Sequence, residues 1–426
     1  MFLINNKLIF NNNISLTNKI LLKLLQKFRS HITRLPIIRK SSTLLTGAVL
    51  SQLIAFAFLP IITAKYSPEF VGIGASFISI SSILSVFFTM QFHSAIFIPK
   101  EKKDSYGLTI LSLSVSVAIF IILYFLFFFF GEKFLESIGL SVLIDWIFFI
   151  PLLAFFLSII QIFNNWFAKE EHFKIISINS VTQSSIYNSL AVLLNSFFSG
   201  AGGLIISKLA AVMLAGFKFI ILFWMKPVMP FSTSSILKLS YKFKRFPQIG
   251  LPHIIFSTAV RDLPVLIIAG YFDPSLAGLY FIALKFSQLP MQILSKALYS
   301  VLIVEFADAI NKKSYYINRL KWFLIISIPL TLILIILTPI ILELMLDDSY
   351  SEASKFLYIL IPLYYFKLLS STFSQSSLIV HQELGFNFVI GFLIFLSTLI
   401  AFYVGYIYQN LLLAILIQTV LNIMLI

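Results

Sequence analysis

Apolar residues in this chain gather in runs of about 20, separated by short clusters of charge. That length matches the ~20 residues a helix needs to cross a bilayer. The runs fall at about 42–64, 73–98, 107–130, 142–167, 174–198, 203–225, 247–270, 276–303, 320–345, 355–378, 387–407 and 410–426. Every backbone amide in hydrocarbon must be bonded internally, which leaves helices or a closed barrel. A barrel needs alternating apolar and polar residues, and Phe127-Phe128-Phe129-Phe130 and Leu411-Leu412-Leu413 do not alternate. The pattern predicts an all-α, polytopic membrane protein of about twelve spans, with both termini on one side.

Composition agrees. The 426 residues are 59% hydrophobic and 11% charged, and the mean hydropathy is +0.98. Soluble chains carry about 25% charge, so a cytosolic enzyme is excluded. A net charge of +14 suggests a nucleic-acid partner only until the cations are located. Of the 31, 22 fall in the leader and the loops on one side (Lys100, Lys102, Lys169, Lys242 and Arg245 among them), and only Lys65, Lys133 and Lys355 on the other. That asymmetry puts the N-terminus in the cytoplasm, with the chain in the cytoplasmic (inner) membrane, and no nucleic acid is expected. The four tryptophans, Trp146, Trp166, Trp224 and Trp322, fall near predicted span ends, as an interfacial belt requires. The absence of cysteine removes disulfide and thiolate chemistry.

Four segments follow: a leader at 1–41, a first six-span bundle at 42–225, a linker at 226–246 and a second bundle at 247–426. In the leader Leu16, Ile20, Leu21, Leu24, Leu25 and Phe28 recur at helical spacing beside Lys19, Lys23 and Lys27. This reads as a basic amphipathic helix on anionic membrane lipids; an extension without a role, or an upstream start codon, would look the same. The last span is short and ends without a charged tail, as a truncated C-terminus would leave it.

The bundles share a signature. Leu59-Pro60, Tyr66 and Pro68-Glu69-Phe70-Val71-Gly72 have counterparts in Leu263-Pro264, Tyr271 and Pro274-Ser275-Leu276-Ala277-Gly278. Both sets sit on the first hairpin of a six-span half and on the same side. A parallel repeat about an axis along the membrane normal is expected, with substrate between the halves. Prolines inside spans, such as Pro60, Pro151, Pro252, Pro264, Pro290, Pro329, Pro339 and Pro362, invite bends that suit alternating access.

Seven charges lie within predicted spans: Lys208, Lys218, Arg261, Asp262, Lys285, Lys296 and Lys367. A charge at the bilayer centre costs about 2.5–3.5 kcal/mol on insertion scales and usually faces a cavity. Lys208 and Lys296 are close enough to their span ends to snorkel. Arg261, Lys285 and Lys367 are too deep for that and are the candidate lining of a cationic cavity, with Lys218 at the border of the two readings. Asp262 is either the partner of Arg261 or Lys285 or the carrier of a coupling proton. The excess of cations calls for an anion, and phosphate or pyrophosphate fits lysine as a point charge and arginine as a fork. His93 and His253, in spans, read as hydrogen-bonded structural residues. No metal-ligand set, no G-x-x-x-x-G-K-[ST] and no nucleophile–base constellation is present, so neither cofactor nor metal nor enzymatic activity is expected.

Short motifs carry a resemblance. Leu44-Leu45-Thr46-Gly47 with Gln52 and Pro60, then Tyr66-Ser67-Pro68-Glu69-Phe70 and Gly72, resemble the opening of bacterial polysaccharide-repeat flippases. Ala95-Ile96-Phe97-Ile98-Pro99-Lys100, Arg245-Phe246-Pro247, Ala277-Gly278-Leu279-Tyr280 and Leu289-Pro290 are similar to further segments of that family. The resemblance implies a Wzx-type member of the multidrug/oligosaccharidyl-lipid/polysaccharide exporter superfamily, with two six-helix bundles around a central cavity. It implies transfer of an undecaprenyl-pyrophosphate-linked oligosaccharide across the membrane for O-antigen or a related polymer. Lys218, Arg261, Lys285 and Lys367 would meet its anionic part, and H+ or Na+ is the candidate coupling ion. Two rivals stand beside it: a drug or metabolite exporter of the same superfamily, for which an acidic cavity would be expected, and a polysaccharide polymerase or ligase, for which the outward loops are short; a lipid-II-type flippase is a closer variant of the same reading.

Overall fold

The computed structural model describes residues 36–225, 233–288, 336–338, 340–342, 344–381 and 384–425. The leader up to residue 35, the linker at 226–232 and the stretch 289–335, with Lys296, Pro290, Pro329 and Trp322, lie outside the described residues, as does Pro339. The described chain is helical with no strand: α1 Pro36–Lys65, α2 Pro68–Phe88, α3 Lys102–Ser137, α4 Phe149–Lys169, α5 Phe173–Leu194, α6 Gly202–Trp224, α7 Thr233–Lys242, α8 Leu251–Tyr271, α9 over 274–288, α10 Ala353–His381, α11 Leu384–Ile407 and α12 Leu411–Leu425. Among the described residues seven helices are long and apolar enough to cross a membrane. The protein is therefore a multi-pass membrane protein.

Local chemistry sets several boundaries. The Ser67 side chain caps α2 by accepting from the Phe70 amide at 3.5 Å, with proline at the first helical position and Glu69 in the first turn. Within α2 the hydroxyls turn back on their own helix: Ser76 donates to the Gly72 carbonyl at 2.8 Å and Ser81 to Phe77 at 2.8 Å. Such back-bonding satisfies polar groups that lipid cannot. Helix α3, 36 residues long, would extend about 54 Å at ~1.5 Å per residue, well beyond the ~30 Å hydrocarbon core. Phe125, Leu126, Phe128, Phe129 and Phe130 on it are exposed, as lipid-facing side chains would be, whereas Phe127 is buried in the core, as are Ser105, Thr109, Ser112 and Ser116 earlier in the helix. Pro60, Pro264 and Pro362 lie inside helices. Pro151 instead occupies a first turn, where no hydrogen bond is lost, while Pro252 follows directly on a π-turn over Phe246–Gly250 that runs into α8.

Helix α1 packs mainly on α5, α4 on α2 and α3, and α11 on α12 and α8. The pairing of α2 with α8 joins the segment before residue 225 to the segment after it. Trp166 departs from the expected interfacial belt: it is 2% exposed, packed edge-on against Tyr106 and Phe223 inside an aromatic cluster. Trp224, in contrast, is exposed.

The end of the bundle that carries the α1–α2 turn is held shut by backbone. A Cβ on Gly72 would collide with the Pro274 carbonyl and lie 2.9 Å from the Gly278 amide nitrogen. Reciprocally, a Cβ on Gly278 would collide with the Pro68 carbonyl and lie 3.0 Å from the Gly72 nitrogen. The two P-x-x-x-G elements thus face each other. Beside them, Gly139, at φ +72 after α3, abuts Gly270 near the end of α8. The Tyr350 hydroxyl donates to the Tyr66 carbonyl at 2.6 Å, and the Tyr66 hydroxyl donates to the Ala191 carbonyl at 2.7 Å. Burial pushes the Tyr66 phenol up to about 12. Burial, then the neighbouring Asp347, also raises that of Tyr350. Both phenols therefore keep their donor hydrogen throughout physiological pH. Tyr350→Phe leaves the Tyr66 carbonyl buried without that donor, a loss of about 1–3 kcal/mol; a fall of a few degrees in the thermal unfolding midpoint in detergent is expected.

Candidate functional site

A cavity of about 560 Å³ lies between α1, α2, α5, α6, α8 and α9, within the ~300–1,000 Å³ usual for small-molecule sites. Three cations and one carboxylate line it: Lys208 on α6, Arg261 and Asp262 on α8, and Lys285 on α9. The lining carries a net charge of +2, from three cations and one carboxylate.

Arg261 is the most tied of the four. Its Nε and Nη2 donate to the two carboxylate oxygens of Asp262 at 3.1 and 2.8 Å, and Nη2 also donates to Ser82 Oγ on α2 at 3.0 Å. The guanidinium side chain is still 54% exposed, against 16% for the carboxylate, so part of the fork remains available. The lysines are different. Lys208 Nζ stands 5.4 Å from the Tyr187 ring centre and Lys285 Nζ 4.9 Å from that of Phe281. Each ring face supplies a weak partner. Among the described residues neither ammonium makes a hydrogen bond or an ion pair. Ammonium groups in a membrane cavity without a carboxylate of their own are poised for an anionic ligand.

The structure brings Arg261, Asp262 and Lys285 together at the cavity and adds Lys208. Two further candidates are not among the lining residues. Lys218 is half-buried on α6, away from the cavity. Lys367, on α10, lies over the Tyr364 ring at 5.0 Å, and Tyr364 in turn accepts from the lining residue Gln288 at 2.7 Å. Lys367 thus stands one side chain behind the wall. Of the span histidines, His93 Nδ1 is 2.7 Å from Thr89 Oγ1, whereas His253 Nδ1 is buried with no hydrogen-bond partner among the described residues. Among the described residues no cluster of histidine and carboxylate could hold a metal.

The wall formed by α1 and α5 has another character. Ser180, Gln183, Ser184, Tyr187 and Asn188 follow the i, i+3, i+4, i+7, i+8 spacing of one helix face. This stripe lowers the hydropathy of α5, which is absent from the seven apolar helices. Ser184 Oγ donates to the Ser51 carbonyl at 2.7 Å and Ser177 Oγ to that of Thr43 at 2.6 Å, joining α5 to α1. Those serines do the packing work expected in membrane helices.

Comparison with known proteins fixes the family. The sequence model of the family described as polysaccharide biosynthesis protein matches residues 66–355, more than half the chain. The chain belongs to that family. No curated protein matches at the sequence level. In fold the family member is similar to a lipid II flippase, MurJ, in an inward closed conformation, with a TM-score of 0.70 and 16% identity over 89% of this chain and 84% of that one. It is also similar to an inward-facing multidrug resistance MATE transporter of the MOP superfamily, with a TM-score of 0.60 and 12% identity over 88% of this chain and 93% of that one. A MOP-superfamily transporter from Pyrococcus furiosus, described as having a binding pocket of reverse polarity, gives 0.57 and 13% identity over 91% and 92%. The polysaccharide biosynthesis protein therefore has the fold of MOP-superfamily transporters.

Sequence reasoning missed Lys208. Counting residues places it near a span end, but depth along a helix says nothing about azimuth, and its face of α6 turns to the cavity. Gln52 and Gln183 were also passed over as site residues. An amide within each of two apolar runs, 42–64 and 174–198, was the available signal.

Proposed function

We propose that this protein is a flippase for a lipid-linked oligosaccharide, binding the pyrophosphate of an undecaprenyl-pyrophosphate carrier at Lys208, Lys285 and Arg261 and moving it by alternating access. One observation carries the reading: two ammonium groups that make no hydrogen bond or ion pair among the described residues face a cavity of about 560 Å³ beside a half-free guanidinium. A lipid-linked sugar keeps its polyprenyl tail in lipid while the anionic bridge needs a replacement for water. Lysine charges and the arginine fork supply it. Lys367 contributes to the local potential from behind Tyr364. The family and the MurJ-like fold support a lipid-linked cargo. The reciprocal Gly72–Gly278 contact supports two halves related by a parallel repeat, dividing near residues 226–246. With the N-terminus in the cytoplasm of a cell inner membrane, the end closed by that contact is the outer one, and the polymer served is O-antigen or a related surface polysaccharide. Coupling to H+ or Na+ belongs to the same reading.

Binding of undecaprenyl-pyrophosphate-linked disaccharide to the full chain in nanodiscs tests this. Lys208→Gln with Lys285→Gln should weaken it at least 100-fold, each ion contact contributing roughly 1.5–3 kcal/mol. Unchanged affinity, or tighter binding of a lipophilic cation than of the lipid anion, would favour the exporter reading instead. Asp262→Asn works the other way. It raises the lining from +2 to +3, so several-fold tighter binding and slower release are expected, read as affinity against flipping rate.

A further inference from the structure

The cavity divides its chemistry by wall. All its charge lies on α6, α8 and α9, while the α1–α5 wall presents neutral groups. Gln52 and Gln183 line that wall, next to the crossing pinned by the 2.7 Å bond from Ser184 Oγ to the Ser51 carbonyl. Among the described residues neither amide makes a hydrogen bond, and neither does the Tyr187 hydroxyl. Asn188 is turned to the same face, its amide nitrogen donating to the Ser184 carbonyl at 2.7 Å. An amide carries both donors and an acceptor, and these half-buried amides, turned to the cavity rather than to a protein partner, match a ligand with the same mixed character. Sugar hydroxyls and acetamido groups have that character.

Charge narrows the class further. Each phosphate of a pyrophosphate esterified at both ends keeps one ionised oxygen, so the bridge balances a lining of net +2. No lining cation is left over for a carboxylate on the glycan, and an acid set against Gln52 and Gln183 would meet no countercharge.

We infer that the α1–α5 wall is the seat of the sugar next to the pyrophosphate, with Gln52, Gln183 and Tyr187 as its recognition groups, and that this sugar is uncharged. This rests on the pyrophosphate seat proposed above. Snug amide contacts on one side and cations on the other orient the head group across the interface of the two halves.

Two lipid probes test it in nanodiscs holding the full chain: undecaprenyl-pyrophosphoryl-N-acetylglucosamine, and the same diester carrying glucuronic acid. Wild type should bind the neutral probe at least tenfold more tightly. Gln52→Leu with Gln183→Leu, close in volume and suited to lipid, should lower affinity for the neutral probe about tenfold and largely erase the preference. Lys285→Gln should weaken both probes by the same factor. Equal or tighter binding of the acidic probe by wild type, or a preference that survives the double leucine variant, overturns the sugar seat. Loss of preference in that variant while Lys285→Gln changes neither probe would overturn the pyrophosphate reading and leave sugar recognition by the amides standing.

Discussion

Replacing Lys285 by glutamate should reduce flipping of a pyrophosphate-linked lipid by two orders of magnitude or more. The change takes the lining from +2 to 0 and puts a carboxylate where the native ammonium, among the described residues, makes no close ion pair, with Asp262 acting on it only at longer range. Two unit charges about 4 Å apart interact by about 4 kcal/mol at the effective dielectric of a partly wet site. Reversing one sign thus turns an attraction of that order into repulsion. The nearby cations Arg261 and Lys208 would pair with the new carboxylate, closing the seat further. Rate of transfer in proteoliposomes is the readout, with Lys218→Glu as the control. Lys218 is on the same membrane helix as Lys208 but off the lining, so its reversal should cost far less activity if insertion is normal.

The second large effect is expected at the glycine contact. A methyl group at Gly72 cannot be accommodated, because the obstacles are the Pro274 carbonyl and the Gly278 nitrogen, both backbone and neither able to rotate away. Packed interiors respond to such a clash by separating the elements. Gly72→Ala should therefore open the end closed by Pro68–Gly72 and Pro274–Gly278, which is the outer end in the proposed orientation. The native sequence contains no cysteine, so Ile62→Cys gives a single reporter at a buried lining position near that end. Labelling by a membrane-impermeant maleimide should be at least tenfold faster in the Gly72→Ala background, a change of about 1.4 kcal/mol in the open–closed equilibrium. Gly250→Ala, where an added Cβ meets its nearest neighbour at an ordinary 3.8 Å, should leave the rate unchanged. Equal rates in all three backgrounds would show that the glycine contact does not hold this end closed.

Much of the fold was legible because lipid permits few solutions. Long apolar runs had to be helices, and the helices α2, α4, α6 and α8 cover most of the runs read at 73–98, 142–167, 203–225 and 247–270. What hydropathy could not report was where a helix gives way to tighter turns. The runs at 73–98 and 142–167 each contain a short 3-10 segment, Phe92–Phe97 and Ser141–Trp146. The paired P-x-x-x-G elements were visible as a repeat, but their mutual contact was not, since sequence similarity carries no distance. In the site, Arg261, Asp262 and Lys285 were found because a deep charge is conspicuous in an apolar run. Lys208 and Lys218 show the limit of that signal. Ten residues apart, they differ by roughly 80° around α6, enough for one to face the cavity and the other to turn from it. Gln52 and Gln183 illustrate a different limit: a neutral amide among serines looks like interhelical packing until the hydrogen bonds around it are counted.

The most direct measurement is transfer by the full chain in proteoliposomes of two lipids that differ only in their bridge: an undecaprenyl-pyrophosphate-linked disaccharide, and the same disaccharide joined to undecaprenol through a neutral linker. The cationic seat predicts protein-dependent transfer of the first at least tenfold faster than of the second, and loss of that difference in the Lys208→Gln, Lys285→Gln double variant. Equal transfer of both lipids by the native protein, or a double variant that flips the pyrophosphate lipid at the native rate, would contradict it.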